Sequence, residues 1–425
     1  MEETLRMSTR ERSWLVELRQ VLEGKETLKE AQAKLGGSYR NAKRRLKRVR
    51  EKGDAGLVHG SRGRRSNRAK PSQMRELVLG LYREHLMGWG PTLAAEKLGE
   101  WGQGLDHETL RRWLKAEGLW TRARKRKAHR RWREPKKHFG ELVQLDGSPH
   151  DWFGTGETCC LMNLVDDATG QSFALFFPHE ATEAAMRVLT GWIERYGIPC
   201  ALYTDHHTIY ITGREEPTRE EMEKGMGPLT AFGKACHRLG IQIIPASSPQ
   251  AKGRVERKHG MYQDRLVKEM KLRGITTMEG ANAFLLSGYL DDLNRRFGKA
   301  PASPVDYHRP VREDQDLEAV FVFEETRKVG NDWTVRYQNQ LYQITGPSHL
   351  LPPAKGTVLV QERLDGSLHL YYREQEVRFS PISIRPVPAA APPVRAKART
   401  PWTPPPDHPW RGRYSGPAPA QGAGP

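Results

Sequence analysis

Three carboxylates stand where chemistry could be done. Asp146 closes the alternating run LVQLD, Asp205 follows the apolar run ALYT, and Glu256 lies in the basic stretch ASSPQAKGRVERKHG, residues 246–260. On a helix, Lys252 would precede Glu256 by one turn, with His259 and Gln263 following at three and seven residues, so all four share a face. A lone acid among Lys252, Arg254, Arg257 and Lys258 could be a partner in surface ion pairs or a metal ligand where a polyanion is drawn in. Carboxylate oxygens suit Mg²⁺. Phosphodiesters are poor electrophiles, and two such ions about 4 Å apart can activate an attacking oxygen and steady the leaving one. Metal ligation by Asp146, Asp205 and Glu256 is therefore the expectation, with Lys252 and Arg257 as contacts to a nucleic acid.

Other candidates read more plainly. Asp166 and Asp167 open the turn DATG, where Asp is turn-forming. His206 and His207 are poor partners for Mg²⁺ and suit a phosphate better. His150 and Trp152 either line the site or pack. The four cysteines, Cys159, Cys160, Cys200 and Cys236, fit no C-x-x-C pattern and read as buried thiols in a reducing compartment.

The 425 residues carry a formal net charge of +18, a basic excess that points to nucleic acid because Lys and Arg displace counterions from phosphate. There is no apolar run long enough to span a membrane and no apolar signal core at the N-terminus, so no membrane partner is expected and the chain should be cytoplasmic.

The elements that must hold the acids fall into a multidomain order. Residues 1–60 contain TLKEAQAKLGGSYRNAKRRLKRVREKG, a helix, a Gly36-Gly37 break and a second helix. Ala42, Leu46 and Val49 form the inner face of that second helix, and Arg40, Lys43, Arg44 and Lys47 lie outside. This predicts a helix-turn-helix DNA-binding module. Residues 71–120 read as a second such module, with Pro91 in a first turn and Leu110, Trp113 and Leu114 as the stripe of its last helix. Residues 121–138 form a basic linker whose Arg124, Lys125, Arg126, Arg130 and Arg131 would strap phosphate.

From 139 to 300 the texture is α/β. Three hairpin-joined strands are followed by helix, strand, helix, strand and a long closing helix, the order of an RNase H-like domain. In that order the first and fourth strands are neighbours, which would bring Asp146 to Asp205. A polar, locally acidic insertion, ITGREEPTREEMEKGMGP, lies between. Residues 315–385 read as short strands of a small SH3-like β-barrel, with turns at Asn339-Gln340 and Asp365-Gly366. Pro, Ala and Gly dominate 386–425, a disordered tail.

The stretches GELVQLDGSPHDWF, LVDDATG, LYTDHH and SPQAKGRVERKHGMYQDRLVKE resemble the catalytic core of bacterial insertion-sequence transposases of the DDE, or retroviral integrase-like, superfamily. The N-terminal helices and the HPW-containing tail are similar to those of the ISNCY type. The resemblance implies that Asp146, Asp205 and Glu256 form the catalytic triad with two Mg²⁺ (or Mn²⁺) ions per site. It implies binding to terminal inverted repeats, nicking at element ends by metal-activated water, and attack of the freed 3′-hydroxyl on target DNA. The implied partners are double-stranded DNA and further copies of the chain, and the implied location is the bacterial nucleoid. A DNA-binding regulator derived from a transposase but without catalysis is the alternative. Two features depart from the common pattern: fifty residues separate Asp205 from Glu256, and His206-His207 replaces the usual Asn-Gly.

Overall fold

The computed structural model describes residues 5–63, 69–121, 133–223, 225, 227–246, 252–346, 351–383 and 405–409. The chain divides into two compact units, Met1–Arg124 and Lys125–Pro425. The linker cations Arg124, Lys125, Arg126, Arg130 and Arg131, and nearly all of the Pro-rich tail, lie outside the described residues.

The first unit begins with α1 (Thr9–Leu22), α2 (Leu28–Leu35) and α3 (Tyr39–Lys52). Each starts on a hydroxyl cap, Ser8, Thr27 or Ser38, and the first two are completed reciprocally by Glu11 and Glu30. Gly36 and Gly37, with φ of 72° and 95°, turn the chain between α2 and α3, where a side chain would be strained. Trp14 and Leu18 of α1 meet Ala42, Leu46 and Val49 of α3 and Leu57 in one small core. These α3 residues are the ones its periodicity selects, and Arg40, Lys43, Arg44 and Lys47 are left exposed. Arg45 lies over the Trp14 ring at 4.7 Å. A second group, α4 (Ser72–His85), α5 (Pro91–Glu100) and α6 (His107–Ala116), buries Val78, Tyr82, Leu98, Leu110 and Leu114. The Asp106 carboxylate caps α6 by accepting from the Glu108 and Thr109 amides. Trp113, expected in the apolar stripe, is only half-buried.

The second unit is built on one five-stranded sheet. Its elements in chain order are β1 (Val143–His150), β2 (Cys159–Asp166), β3 (Ser172–Phe177), α7 (Thr182–Tyr196), β4 (Ala201–Thr204), α8 (Arg219–Glu223), α9 (Ala231–Arg238), β5 (Gln242–Pro245) and α10 (Gly253–Leu272). The strand order is β3-β2-β1-β4-β5, with β1 to β3 antiparallel and β4 and β5 parallel to β1. Side chains alternate across β1. Val143 and Leu145 join the large apolar core with Leu164, Phe173, Leu189 and Trp192, whereas Gln144, Asp146 and Ser148 bond to residues of α10 or to Lys252 at its cap. The insertion after β4 is organised by its own acid. Glu221, 1% exposed, accepts from the Thr218 and Leu229 amides and from Arg214.

Although no element is predicted between α10 and residue 315, two helices form there: α11 (Met278–Phe284) and, after one π-turn, α12 (Leu290–Phe297). They cover β3, an edge strand. The Asn282 amide accepts from Phe176 N at 2.7 Å and donates to Phe176 O at 3.0 Å. The Asn294 amide does the same for Ser172, at 2.8 Å in both directions. Each side chain thus imitates a neighbouring strand, which closes an edge that would otherwise pair with another chain.

The C-terminal part contains α13 (Leu317–Val320), β6 (Val322–Lys328), β7 (Thr334–Tyr337), β8 (Gln340–Ile344), β9 (Thr357–Arg363), β10 (Leu368–Tyr372), β11 (Gln375–Val377) and β12 (Phe379–Ile382). Among the described residues these strands make two sheets, β11-β10-β9-β6 and β12-β8-β7, rather than the closed barrel expected. They share a core that includes Val335, Tyr337, Val358, Val360 and Leu370. The start of this segment, expected to be all strand, is instead α13, because Asp316 caps the Glu318 amide and starts a helical turn. The first hairpin turns on Gln338-Asn339, both with positive φ, one residue earlier than expected.

Two expected outcomes follow from this architecture. Asn282→Ala and Asn294→Ala should each destabilise the second unit by roughly 1–3 kcal/mol, because a buried strand edge loses its partners, and should increase aggregation; urea unfolding and light scattering measure both. The Glu11 carboxyl, held at about 2 by the Ser8 amide first and by Arg62 and His59 after it, is depressed on folding. Its stabilisation is present above the ordinary value of 4.5 and is lost as pH falls towards 2. Hydrogen exchange across α1 should accelerate in that window for the native chain, and Glu11→Gln should remove the pH-dependence.

Candidate active site

The first turn of α10 sets the site. Buried Gln144 on β1 accepts from the Val255 amide at 3.2 Å and donates to Asp167 at 2.8 Å. Asp167, with no exposure, also accepts from Arg254, the Lys136 amide and Arg133. Asp166 holds the β2–β3 turn by accepting from Thr169 and from the Gly140 amide. Both acids are thus structural. Asp167 does more than form a turn, because it docks α10 and the segment before β1 onto the sheet.

With α10 so placed, Lys252 at its N-cap points inward. The expectation of a DNA contact is not met there. Lys252 is 6% exposed, and its Nζ lies 2.7 Å from Asp146 Oδ1 and 3.8 Å from Asp205 Oδ2. The physical reason is charge: two carboxylates on adjacent parallel strands repel, and an ammonium reaching both offsets that repulsion. Asp146 is the more enclosed, its side chain 20% exposed against 42% for Asp205. Burial first, and then the charge of Asp205, push the Asp146 carboxyl up, while Lys252 opposes them. His259, two turns after Lys252 and one after Glu256, sits 3.9 Å from Asp146. Burial pulls its pKa down to about 4, so near neutral pH it carries no charge. Its Nε2 has no hydrogen-bond partner, nor does the buried amide of Asn163, which pairs with Asp146 across β1 and β2.

Glu256 is exposed on this face of α10. Among the described residues no three His, Cys, Asp or Glu side chains are grouped closely enough to hold a metal ion. Asp146 and Asp205 nonetheless fit a divalent ion by their chemistry. Both are hard carboxylates, both reach one cation, and the charged form of Asp146 is disfavoured without a positive neighbour. Arg257 is exposed.

Reasoning from the sequence missed Glu180, which lies between β3 and α7. Its carboxylate accepts from the Tyr210 hydroxyl at 3.1 Å. Burial first, then the charges of Asp205 and Asp146, raise its pKa. It packs so closely on β1 that a Cβ at Gly147 would meet Glu180 Oε2 at 2.5 Å. The only signal in the sequence was that glycine beside Asp146. Trp152 is resolved in favour of packing: it is fully buried against Phe176, and its Nε1 donates to Ser148 O. His150, His206 and His207 are exposed. Burial pushes the Cys159 and Cys160 thiols up to about 11 and about 12, so they stay protonated.

No family model matches the chain. It is 37% identical over 338 residues to the putative transposase y4bF of Sinorhizobium fredii, covering 79% of this chain and 72% of that protein. It is 29% identical over 440 aligned positions to the transposase for insertion sequence IS1202 of Streptococcus pneumoniae, covering 93% of this chain and 92% of that one. The chain belongs to this family of transposases. Among solved structures, the magnesium-bound catalytic core of HTLV-2 integrase (trimeric form) is similar over 36% of this chain and 85% of its own, at 17% identity and a TM-score of 0.27. The simian T-cell lymphotropic virus intasome in complex with a PP2A regulatory subunit is similar over 69% of this chain and 95% of its own, at 15% identity and a TM-score of 0.31. Among the described residues no helix is long and apolar enough to cross a membrane.

Gln144→Ala would leave the Val255 amide and one bond of Asp167 unsatisfied inside the protein. We expect a loss of roughly 1–3 kcal/mol in urea unfolding. Gln144→Glu should be worse, since it sets a second carboxylate against Asp167.

Proposed function

We propose that the protein is an active DNA transposase that binds the terminal inverted repeats of an insertion sequence, nicks at the element ends and joins the 3′-hydroxyl to target DNA. One observation carries this reading: Asp146 and Asp205, fifty-nine residues apart in sequence, reach a single cation at neighbouring strands. In this proposal Asp146 and Asp205 hold a divalent ion, Mg²⁺ or Mn²⁺. Glu256, on the first turns of α10, would complete the set of carboxylates, with two ions per site. Metal bound there supplies Lewis-acid activation of the attacking oxygen and neutralises the leaving one.

The chain's own residues then have definite tasks. Lys252 holds the two aspartates together and would have to leave them for a divalent ion to bind between them. Glu180 adds negative charge on the far side of Gly147, which strengthens the pull on a cation. His259, uncharged, packs beside Asp146 without competing for the ion. The exposed cations of α3, Arg40, Lys43, Arg44 and Lys47, suit a phosphate backbone, as do Arg257 and the linker cations. Two element ends must be brought together, so we infer an oligomer on DNA.

The alternative is a DNA-binding regulator without catalysis. It is favoured by one fact, that an ammonium rather than a third carboxylate contacts Asp146. The two readings separate in a cleavage assay. Asp146→Asn and Glu256→Gln should abolish metal-dependent nicking and leave repeat binding intact; normal nicking by Glu256→Gln overturns the triad, and a native chain that binds repeats but never nicks selects the regulator. Lys252→Gln should tighten Mn²⁺ binding about tenfold, on the order of 1.4 kcal/mol, read by electron paramagnetic resonance without DNA. Unchanged or weaker binding would mean that Lys252 does not compete with metal.

A further inference from the structure

On another flank of α10, away from Asp146, a cavity of about 410 Å³ lies against the β2–β3 turn. Its wall holds four cations and no carboxylate: Arg254, Arg257 and Lys258 of α10, and Lys299 just after α12. Two of these are fixed. Arg254 Nε donates to buried Asp167 at 2.8 Å, and Lys258 Nζ donates to Gly170 O at 3.0 Å. Lys258 is 7% exposed and has no acid beside it in the cavity. The other two, Arg257 and Lys299, are exposed. The remaining wall is apolar, chiefly Met261 and Phe297, and Phe297 already carries Arg265 over its ring at 4.6 Å.

Arg254 is already balanced by Asp167, but Lys258, a buried ammonium satisfied by one carbonyl, shares the space with Arg257 and Lys299 and would be stabilised by an anion. Inorganic phosphate would meet the cations but leave Met261 and Phe297 unused. A nucleotide meets both, because its phosphate suits the cations and its base has a face for an aromatic ring. The volume falls within the ordinary range for a small-ligand site.

We propose that this cavity seats one nucleotide of a DNA strand, with its phosphate among Arg257, Lys258 and Lys299 and its base against Phe297 and Met261. The proposal rests on DNA being the substrate, but not on cleavage. It makes α10 a divider: one flank faces the Asp146–Asp205 pair, and another grips the strand by a unit that is not cut.

The test uses the full chain, labelled with ¹³C-methyl methionine and with the Met261 signal assigned by Met261→Leu. Deoxyadenosine monophosphate should shift the Met261 methyl. Arg257→Gln and Lys299→Gln, both at exposed positions, should each weaken that binding about tenfold, and Lys258→Met should abolish it. In salt titrations of DNA binding, each of the two exposed variants should flatten the slope by about 0.9. A Met261 signal unmoved by both nucleotide and DNA overturns the site. Equal affinity for inorganic phosphate and nucleotide overturns the role of the aromatic wall. Nucleotide binding with unchanged DNA salt slopes overturns the strand as its source. Should the native chain bind no DNA, the proposed function fails, whereas a nucleotide-dependent Met261 shift would still report the cavity. If Lys258→Met does not fold, the two exposed variants decide.

Discussion

The N-terminal turn of α10 is fastened to the sheet by buried polar bonds, and the site depends on that fastening. Gln144 and Asp167 are both fully buried, and between them they satisfy the Val255 amide and Arg254. Apolar packing alone would let a helix slide or rotate by small amounts. Directional bonds to a strand residue do not, because a shift of one residue on either side leaves a buried donor or acceptor unpaired. Gln144 is two residues before Asp146, so the same face of β1 that fixes the helix also presents the carboxylate.

The electrostatics of the site follow from this geometry. Adjacent parallel strands bring Asp146 and Asp205 together, Glu180 approaches from beyond Gly147, and the position of α10 delivers Lys252 into their midst. Negative charge is concentrated there and only partly offset by one ammonium, while Arg254, Arg257 and Lys258 gather positive charge on another flank. One helix therefore separates two fields of opposite sign. Its basic sequence does not read as uniform, because burial sorts its cations into counter-ion, structural tie and open contact.

The periphery protects this arrangement. The strand β3 lies at the edge of the sheet, and Asn282 and Asn294 pair its backbone through side-chain amides. A helix cannot offer main-chain groups to a strand, so the amide side chain does so instead. The insertion after β4 folds on buried Glu221, so its acidic sequence conceals an internal anchor.

Local pattern carried much of this in advance. The caps Ser8, Thr27, Ser38 and Asp106, the inner face of α3 and the alternation around Asp146 are short-range features, and short-range rules read them. The order of the strands, and hence the approach of Asp146 to Asp205, also follows from the linear succession of hairpins, helices and strands. What the chain order leaves open is how side chains choose among partners that are distant in sequence. Lys252 reads as one more exposed cation until the sheet brings two carboxylates to it, Glu180 reads as a helix-start acid, and Asn282 and Asn294 read as nothing at all. Their roles come from burial and from contacts across many residues of separation, and those exist only once the tertiary structure has set which surfaces meet.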